Sequence, residues 1–332
     1  MARLLLYALG GGFGHLTRAL SLGRAAARRG HAVHALVNTA GAEQLPAERL
    51  AAELGPRGVL ERLSPALGPA ECAAALTARA AEGFDALVVD TFPRGLGGEL
   101  PALWERLPAL KVWVHRDLAP RYVERFALRD WAARYALVLV PGEEPPLADL
   151  PQARRTAPWL VRERAELPTR AAARARLGAG GERPLVVVVG SGTTAEQAAA
   201  RARRARLAAA LPEATLRYVG PDAAGPDERS CWPLLELLPG VDLLVGAGGY
   251  HTVHEARATG TPLLALPQPR RYDRQERRLH AAERCRDEAE LIARARAALA
   301  RPRPPLPGHG WGGVTKALSL LEGALAGALV EV

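Results

Sequence analysis

The stretch DLLVGAGGYHTVHEARATGTPLLALPQPRRYDRQ, residues 242–275, decides the fold. The apolar run 241–245 is too short for a helix and ends at a glycine, so it reads as a buried strand. Ala247-Gly248-Gly249 makes the turn, and a helix is expected over 251–259. Gly260-Thr261-Pro262 closes that helix and opens a second apolar run at 262–266. Strand, glycine turn, helix and strand in this order form a parallel unit, because parallel strands need a crossover between them.

The same order recurs twice. RLLLYAL (3–9) runs into GGGFGH (10–15) and a helix over 16–29, and LVVVV (185–189) runs into GSGTT (190–194) and a helix over 194–210. Further strands fit 31–37, 85–90, 110–114 and 136–140 in the first half and 214–219 in the second. Further helices fit 70–82, 97–106, 119–133, 273–284 and 287–300, with a last one over 314–329. The Pro- and charge-rich stretch 141–183 interrupts the pattern and reads as a linker ending in a short helix at 169–177. The expectation is an α/β chain of two Rossmann-like domains, 1–150 and 184–310, joined by a linker over 151–183 and followed by a C-terminal segment, 311–332. A length of 332 residues suits two domains, since one core rarely organises more than ~200 residues.

Composition narrows the function. Hydrophobic residues make up 48% and charged residues 24%, the balance of a soluble globular protein, and a cytoplasmic one is expected. The apolar start near Arg3 is too short for a signal peptide before its glycines, and reads as a first strand. Cys72, Cys231 and Cys285 lie far apart without metal-ligand spacing, so neither a disulfide framework nor a bound metal is expected. The formal charge is +9, yet only Lys111 and Lys316 are lysines. Arginines spread along helices, among them Arg201, Arg203, Arg204 and Arg206, with abundant Ala, Leu, Pro and Gly, suggest biased codon usage and a thermophile-like composition. No nucleic-acid-binding motif accompanies them, so no nucleic-acid partner is expected. A modest attraction to anionic substrates or membrane surfaces remains open.

Each glycine turn leaves backbone N–H groups unpaired at a helix N-terminus, where the helix dipole favours an anion. Candidate donors are Gly12 and Gly14, then Ser191, Gly192 and Thr193, then Gly248 and Gly249. The first turn is no dinucleotide fingerprint. His15 stands where a third glycine belongs, and the second strand ends in Val37-Asn38-Thr39 without the acid that holds an adenine ribose. No GxxxxGK[ST] occurs, which excludes a P-loop. His15 opens a helix at the mouth of the sheet, where imidazole can act as a base or hydrogen-bond a substrate. Thr252 can add a hydroxyl to the phosphate donors, and Glu255, a turn further on, can accept from two vicinal ribose hydroxyls. Asp273 and Gln275 can reach sugar hydroxyls. His251 and His254, on this helix, flank the site as phosphate contacts or solvated side chains rather than metal ligands. Asp90 ends a strand and Asp117 follows another, and each is either a base or acceptor ligand, or a turn cap.

GGYHTVHEARATGTPLLALP followed by YDRQ resembles the donor-binding segment of GT-B glycosyltransferases, in particular the bacterial peptidoglycan N-acetylglucosaminyltransferase and uncharacterised relatives. GGGFGHLTRAL, with His15 and Arg18, resembles that family's N-terminal glycine loop, and WLVRERAELPTRAAARARLG its interdomain segment. The resemblance implies a cleft between two domains and a last helix that crosses back to the first. It places Gly249 and Thr252 on the diphosphate, Glu255 on the ribose, Asp273 or Gln275 on the sugar, and His15 near the acceptor or the transferred sugar. The loop PQPRRYDRQ departs by its charge, so that Arg270 and Arg271 can instead reach phosphate or an acidic sugar.

The expected activity is metal-independent transfer of a hexosyl or N-acetylhexosaminyl group from a nucleotide diphosphate donor, UDP-type favoured, to an unknown acceptor hydroxyl. If the reaction inverts, His15, aided by Asp90 or Asp117, is the expected base; the sequence leaves inversion or retention open. The nucleotide-sugar is a substrate, and no cofactor is expected. A nucleotide-sugar 2-epimerase of the same fold and a non-catalytic nucleotide-sugar-binding protein are the alternatives.

Overall fold

The computed structural model describes residues 1–40 and 42–330. The chain divides into two units. One is Met1–Val161 with the segment from Gly312 onward, and the other is Arg162–Trp311.

The first unit runs β1 (Arg3–Ala8), α1 (Phe13–Arg28), β2 (Ala32–Val37), α2 (Ala47–Ala52), β3 (Gly58–Arg62), α3 (Pro69–Ala80), β4 (Ala86–Asp90), α4 (Leu100–Leu103), β5 (Leu110–Val114), α5 (Pro120–Arg125), α6 (Leu128–Ala132), β6 (Leu137–Pro141) and β7 (Ala153–Thr156). Its strands form one sheet in the order β3-β2-β1-β4-β5-β6-β7, parallel throughout. Both faces are covered, so the central strands are near-continuous apolar runs; Leu4, Leu5, Leu87, Val112 and Val138 are fully buried. The strand order reverses direction between β1 and β4. At such a switch point the connections leave towards opposite faces and open a crevice at the strand C-termini.

The second unit runs α7 (Arg170–Arg176), β8 (Leu185–Val189), α8 (Thr194–Ala210), β9 (Thr215–Val219), β10 (Glu228–Arg229), β11 (Leu243–Gly246), α9 (Tyr250–Ala258), β12 (Leu263–Ala265), α10 (Gln275–Arg278) and α11 (Glu288–Leu299). Its parallel sheet has the order β10-β9-β8-β11-β12, with the switch point between β8 and β11. Strand alternation feeds a core on each face. Val186, Val188, Leu243 and Val245 pack with Leu207 and Leu291 on one side, and Leu185, Val187 and Leu244 with Val253 and Leu177 on the other. The arginines of α8 meet acids: Arg201 pairs with Asp222 at 2.5 Å and Glu228 at 2.8 Å, and Arg203 with Glu288 at 3.0 Å.

The last helix, α12 (Gly313–Val330), belongs to the first unit. Buried Val314, Ala317, Leu318 and Leu321 anchor it against α1, β5, β6 and β7. Glu322 accepts from His31 Nε2 at 3.0 Å and from Arg29.

The structure adds α2, β3 and β10, which the sequence reading lacks, and shortens the helix read over 97–106 to α4; other segments differ as follows. The single helix expected over 119–133 is two, broken where Ala127 adopts φ 45°, a left-handed conformation. The helix expected over 273–284 is only α10, because the backbone near Arg284 leaves it to bridge Ala265 at the edge of β12. Inside the stretch read as a linker, Ala153–Thr156 forms β7, an edge strand whose sequence ARRT lacks an apolar face.

Candidate active site

Residues 75 apart in sequence meet at the first switch point because β1 and β4 are neighbours, in register from Leu4–Ala86 to Tyr7–Val89. His15 lies in the first turn of α1, and its Nδ1 is 2.6 Å from Asp90 Oδ2. Asp90 also accepts from Arg18, with Nε on Oδ1 and a terminal nitrogen on Oδ2, each at 2.7 Å. The Thr91 hydroxyl lies 3.0 Å from both Asp90 Oδ2 and the Arg18 guanidinium. Arg18 and Asp90 are 2% and 6% exposed.

The electrostatics follow from this packing. Burial alone would raise the Asp90 carboxyl, but the charge and hydrogen bonds of Arg18, with the His15 bond, hold it well below the usual carboxylate range. Burial lowers the His15 imidazole, and the Arg18 and Arg116 charges add to that against the opposing pull of Asp90. His15 is therefore neutral at pH 7. A carboxylate on Nδ1 selects the tautomer that carries its proton there and leaves the Nε2 lone pair as the basic site. Nε2 makes no hydrogen bond among the described residues, and the ring is 16% exposed.

Local backbone geometry fixes the imidazole. A Cβ on Gly10 would lie 2.2 Å from His15 Nε2, so only glycine lets the ring lie across the turn. Asn38 Oδ1 accepts from the Gly10 N–H at 2.6 Å. Phe92 lies alongside the ring, with centroids 5.8 Å apart and planes inclined by 19°. Thr91 sits at φ 65°, which costs a β-branched residue about 1–3 kcal/mol. Its N–H on Val114 O at 2.9 Å and Trp113 Nε1 on its carbonyl at 3.1 Å hold it there.

Other residues singled out in the first unit are placed differently. Arg18 is committed to Asp90. Gly12 is the exposed N-cap of α1, without a side-chain cap, and Gly14 lies in the first turn. Asp117 is buried, with its N–H on Glu143 Oε2 at 3.1 Å, and is outside the hydrogen-bond set of His15 and Asp90. Its neighbour Arg116, paired with Glu143 at 2.5 Å, is the group whose charge reaches His15.

In the second unit the two glycine turns flank the switch point but are not equivalent. The N-terminus of α8 is closed by its own capping box: Thr193 Oγ1 accepts from the Glu196 N–H at 3.4 Å, and Glu196 Oε2 from the Thr193 N–H at 2.7 Å. Ser191 and Thr193 are exposed there, and Gly192 is half-buried. The N-terminus of α9 is open. Its N-cap is Gly249, with no side-chain cap and no acid in the first turn. Gly248 at φ 82° makes that turn, and Arg278 donates to its carbonyl at 2.8 Å. The Thr252 hydroxyl, beside Gly249, makes no hydrogen bond among the described residues.

Glu255, 2% exposed, is the notable side chain of α9. Its Oε2 is buried without a hydrogen-bond partner, and the nearest ring nitrogen, His251 Nδ1, lies 3.5 Å from Oε1. Burial pushes the carboxyl up to about 8. A buried polar atom without a partner usually costs about 1–3 kcal/mol, so it marks a place where a ligand can supply donors. The expected sugar contacts have partners already. Asp273 is paired with Arg278 at 2.7 Å, and Gln275 Oε1 accepts from the Gln268 N–H at 3.0 Å. Sequence reading missed Arg278, Asn38 and Thr91, whose roles depend on strand adjacency and backbone conformation rather than on any motif.

No family model and no curated protein sequence matches the chain. Solved structures do. A kitacinnamycin glycosyltransferase shares 18% identity over 98% of this chain and 99% of its own, with a TM-score of 0.64. A Listeria monocytogenes protein assigned as a UDP-N-acetylglucosamine 2-epimerase shares 14%, over 97% and 96%, with a TM-score of 0.59. MurG of Acinetobacter baumannii shares 14%, over 97% and 99%, with a TM-score of 0.52. The two parallel sheets, each with its switch point and glycine turns, are the Rossmann-like pair of the GT-B fold that the glycosyltransferases among these structures share.

Proposed function

We propose that the chain is a glycosyltransferase that moves a sugar from a nucleoside diphosphate donor, UDP-type favoured, to an acceptor hydroxyl. The observation that carries this reading is the Asp90–His15 pair, with Nε2 left as the basic atom. In the proposed step, Nε2 takes the acceptor proton as the acceptor oxygen bonds to the anomeric carbon. The bond from that carbon to the diphosphate oxygen breaks, and the nucleoside diphosphate leaves with the electron pair. Direct displacement of this kind inverts the anomeric centre. Asp90 holds the imidazole tautomer and stabilises the imidazolium, and Arg18 keeps Asp90 ionised.

The second unit supports donor binding. The open N-terminus of α9 and Thr252 suit the diphosphate, whose growing charge they would stabilise. Glu255, whose Oε2 lacks a hydrogen-bond partner, suits the ribose diol. The scheme needs no metal and no cofactor beyond the donor. A 2-epimerase reading draws support from the Listeria structure. Both oxygens of Asp90 are already taken by Arg18, His15 and Thr91, which suits holding the imidazole better than exchanging protons at a sugar.

A thermal-shift screen against nucleoside diphosphates and their sugars, followed by product analysis with and without acceptors, tests the proposal. A ligand at a hundred times its Kd adds about 2.7 kcal/mol of stability. Transfer to an added acceptor is expected. Conversion of the donor to its 2-epimer without any acceptor would establish the rival, and tight binding with no turnover would leave only a binding protein.

A further inference from the structure

The segment after β12 doubles back over the sheet's carboxyl end. The Leu266 N–H donates to Gly246 O at 3.0 Å, and Gln275 closes the loop on Gln268. Arg278 ties Asp273 to the Gly248 carbonyl. From this tethered loop, Arg270 reaches Glu196 in the first turn of α8, at 2.6 Å. Because β11 lies between β8 and β12 in the sheet, that ion pair spans the end of β11. The helix that follows β11 is α9, with its open N-terminus, the Thr252 hydroxyl and the buried Glu255 Oε2 that lacks a hydrogen-bond partner.

We propose that Arg270 is a diphosphate-binding residue parked on Glu196, and that its guanidinium moves to the donor's phosphates when the donor binds. The proposal rests on the donor-site reading of this unit. Capping does not explain the ion pair, since Thr193 and Glu196 close α8 by themselves. Neighbouring cations have other engagements: Arg278 with Asp273 and Gly248, Arg257 with Glu283 at 2.6 Å, and Arg271 over the Tyr272 ring at 5.1 Å. Arg270 and Glu196 keep 31% and 22% exposure, so their pair is solvent-screened and weak. A diphosphate offers a guanidinium more charge and a two-point geometry, and so competes successfully. Glu196 would then be a positioning residue that keeps Arg270 over the site between turnovers.

Calorimetric titration of UDP, UMP, TDP and TMP into the full-length protein tests this. Arg270→Ala is expected to weaken the better-bound diphosphate about tenfold or more, its monophosphate less than about threefold, and Arg270→Lys to restore part of the loss. Glu196→Gln keeps the capping box, which accepts either residue. It should tighten diphosphate binding several-fold, and that gain should vanish in the Arg270→Ala background. Equal loss of mono- and diphosphate in Arg270→Ala, or weaker binding in Glu196→Gln, would overturn the role of Arg270 while leaving the donor site standing. If the wild type binds none of the four nucleotides, the donor-site reading falls, and this inference with it.

Discussion

Replacing Glu255 by Gln should change how the protein's stability depends on pH, and the size of the effect follows from the buried carboxyl. The folded value is about 8 against an ordinary 4.5. Between these two pH values the folded chain holds a proton that the unfolded chain has lost, so stability falls as pH rises. Each pH unit in that window removes about 1.4 kcal/mol, which amounts to about 5 kcal/mol across the whole of it. Below pH 4.5 the group is protonated in both states and nothing is lost; above pH 8 the loss levels off. Gln fills the same space and does not ionise. Urea unfolding at pH 5, 6, 7 and 8 should show the variant gaining on the wild type by roughly 1.4 kcal/mol per unit. If the ribose hydroxyls donate to the ionised carboxylate, nucleotide binding should also release a proton in this window, measurable by calorimetry in buffers of different ionisation heat. Parallel stability curves for the two proteins would refute the argument, because they would mean that Glu255 is solvated or partnered.

Further expectations concern the first unit and α9. Gly10→Ala puts a Cβ 2.2 Å from His15 Nε2; it should cut turnover without removing a catalytic group and lower stability by about 1–3 kcal/mol, measured by kinetics and denaturation. Asp90→Asn strands the Arg18 charge in the interior and should cost about 3–5 kcal/mol on unfolding. Mild acid should not imitate it, because the Asp90 carboxyl, held well below the usual carboxylate range by Arg18, keeps the pair ionised. Turnover should fall on the acid side with an apparent pKa below 6.5, since protonation removes the basic form of a His15 whose pKa is lowered. Thr252→Val should leave the melting temperature nearly unchanged and weaken nucleoside diphosphate binding roughly five- to tenfold, the value of one hydrogen bond.

Much of this site is local in sequence, and that part was legible. The helix over 194–210 and the open α9 turn follow from apolar runs that stop at glycines, and His15 and Glu255 stand out by their offsets from those turns. What was not legible depends on chain segments far apart. Asp90 reads equally as a base or a cap in sequence, and only the adjacency of β4 to β1 brings it against His15; Asp117, which follows β5, lies outside the hydrogen-bond set of His15. Asn38 marks the end of β2, but its hold on Gly10 requires β2 to flank β1. The helical pattern over 273–284 yields to edge pairing at Ala265, a tertiary contact that local propensity does not encode. Asp273 has the residue type expected of a sugar ligand, yet Arg278, five positions on, takes its carboxylate.

The proposed activity is glycosyl transfer with His15 as the base and Glu255 as a donor-binding residue. Its most direct test is turnover of a validated nucleotide-sugar and acceptor by wild type, His15→Ala and Glu255→Ala, with product and free nucleoside diphosphate both quantified. Equimolar glycosylated product and nucleoside diphosphate are expected from the wild type. Turnover should be about 100-fold or more lower in His15→Ala with donor affinity retained, as expected for loss of a general base. Glu255→Ala should lose mainly donor affinity. Binding and turnover like wild type in both variants would contradict these roles.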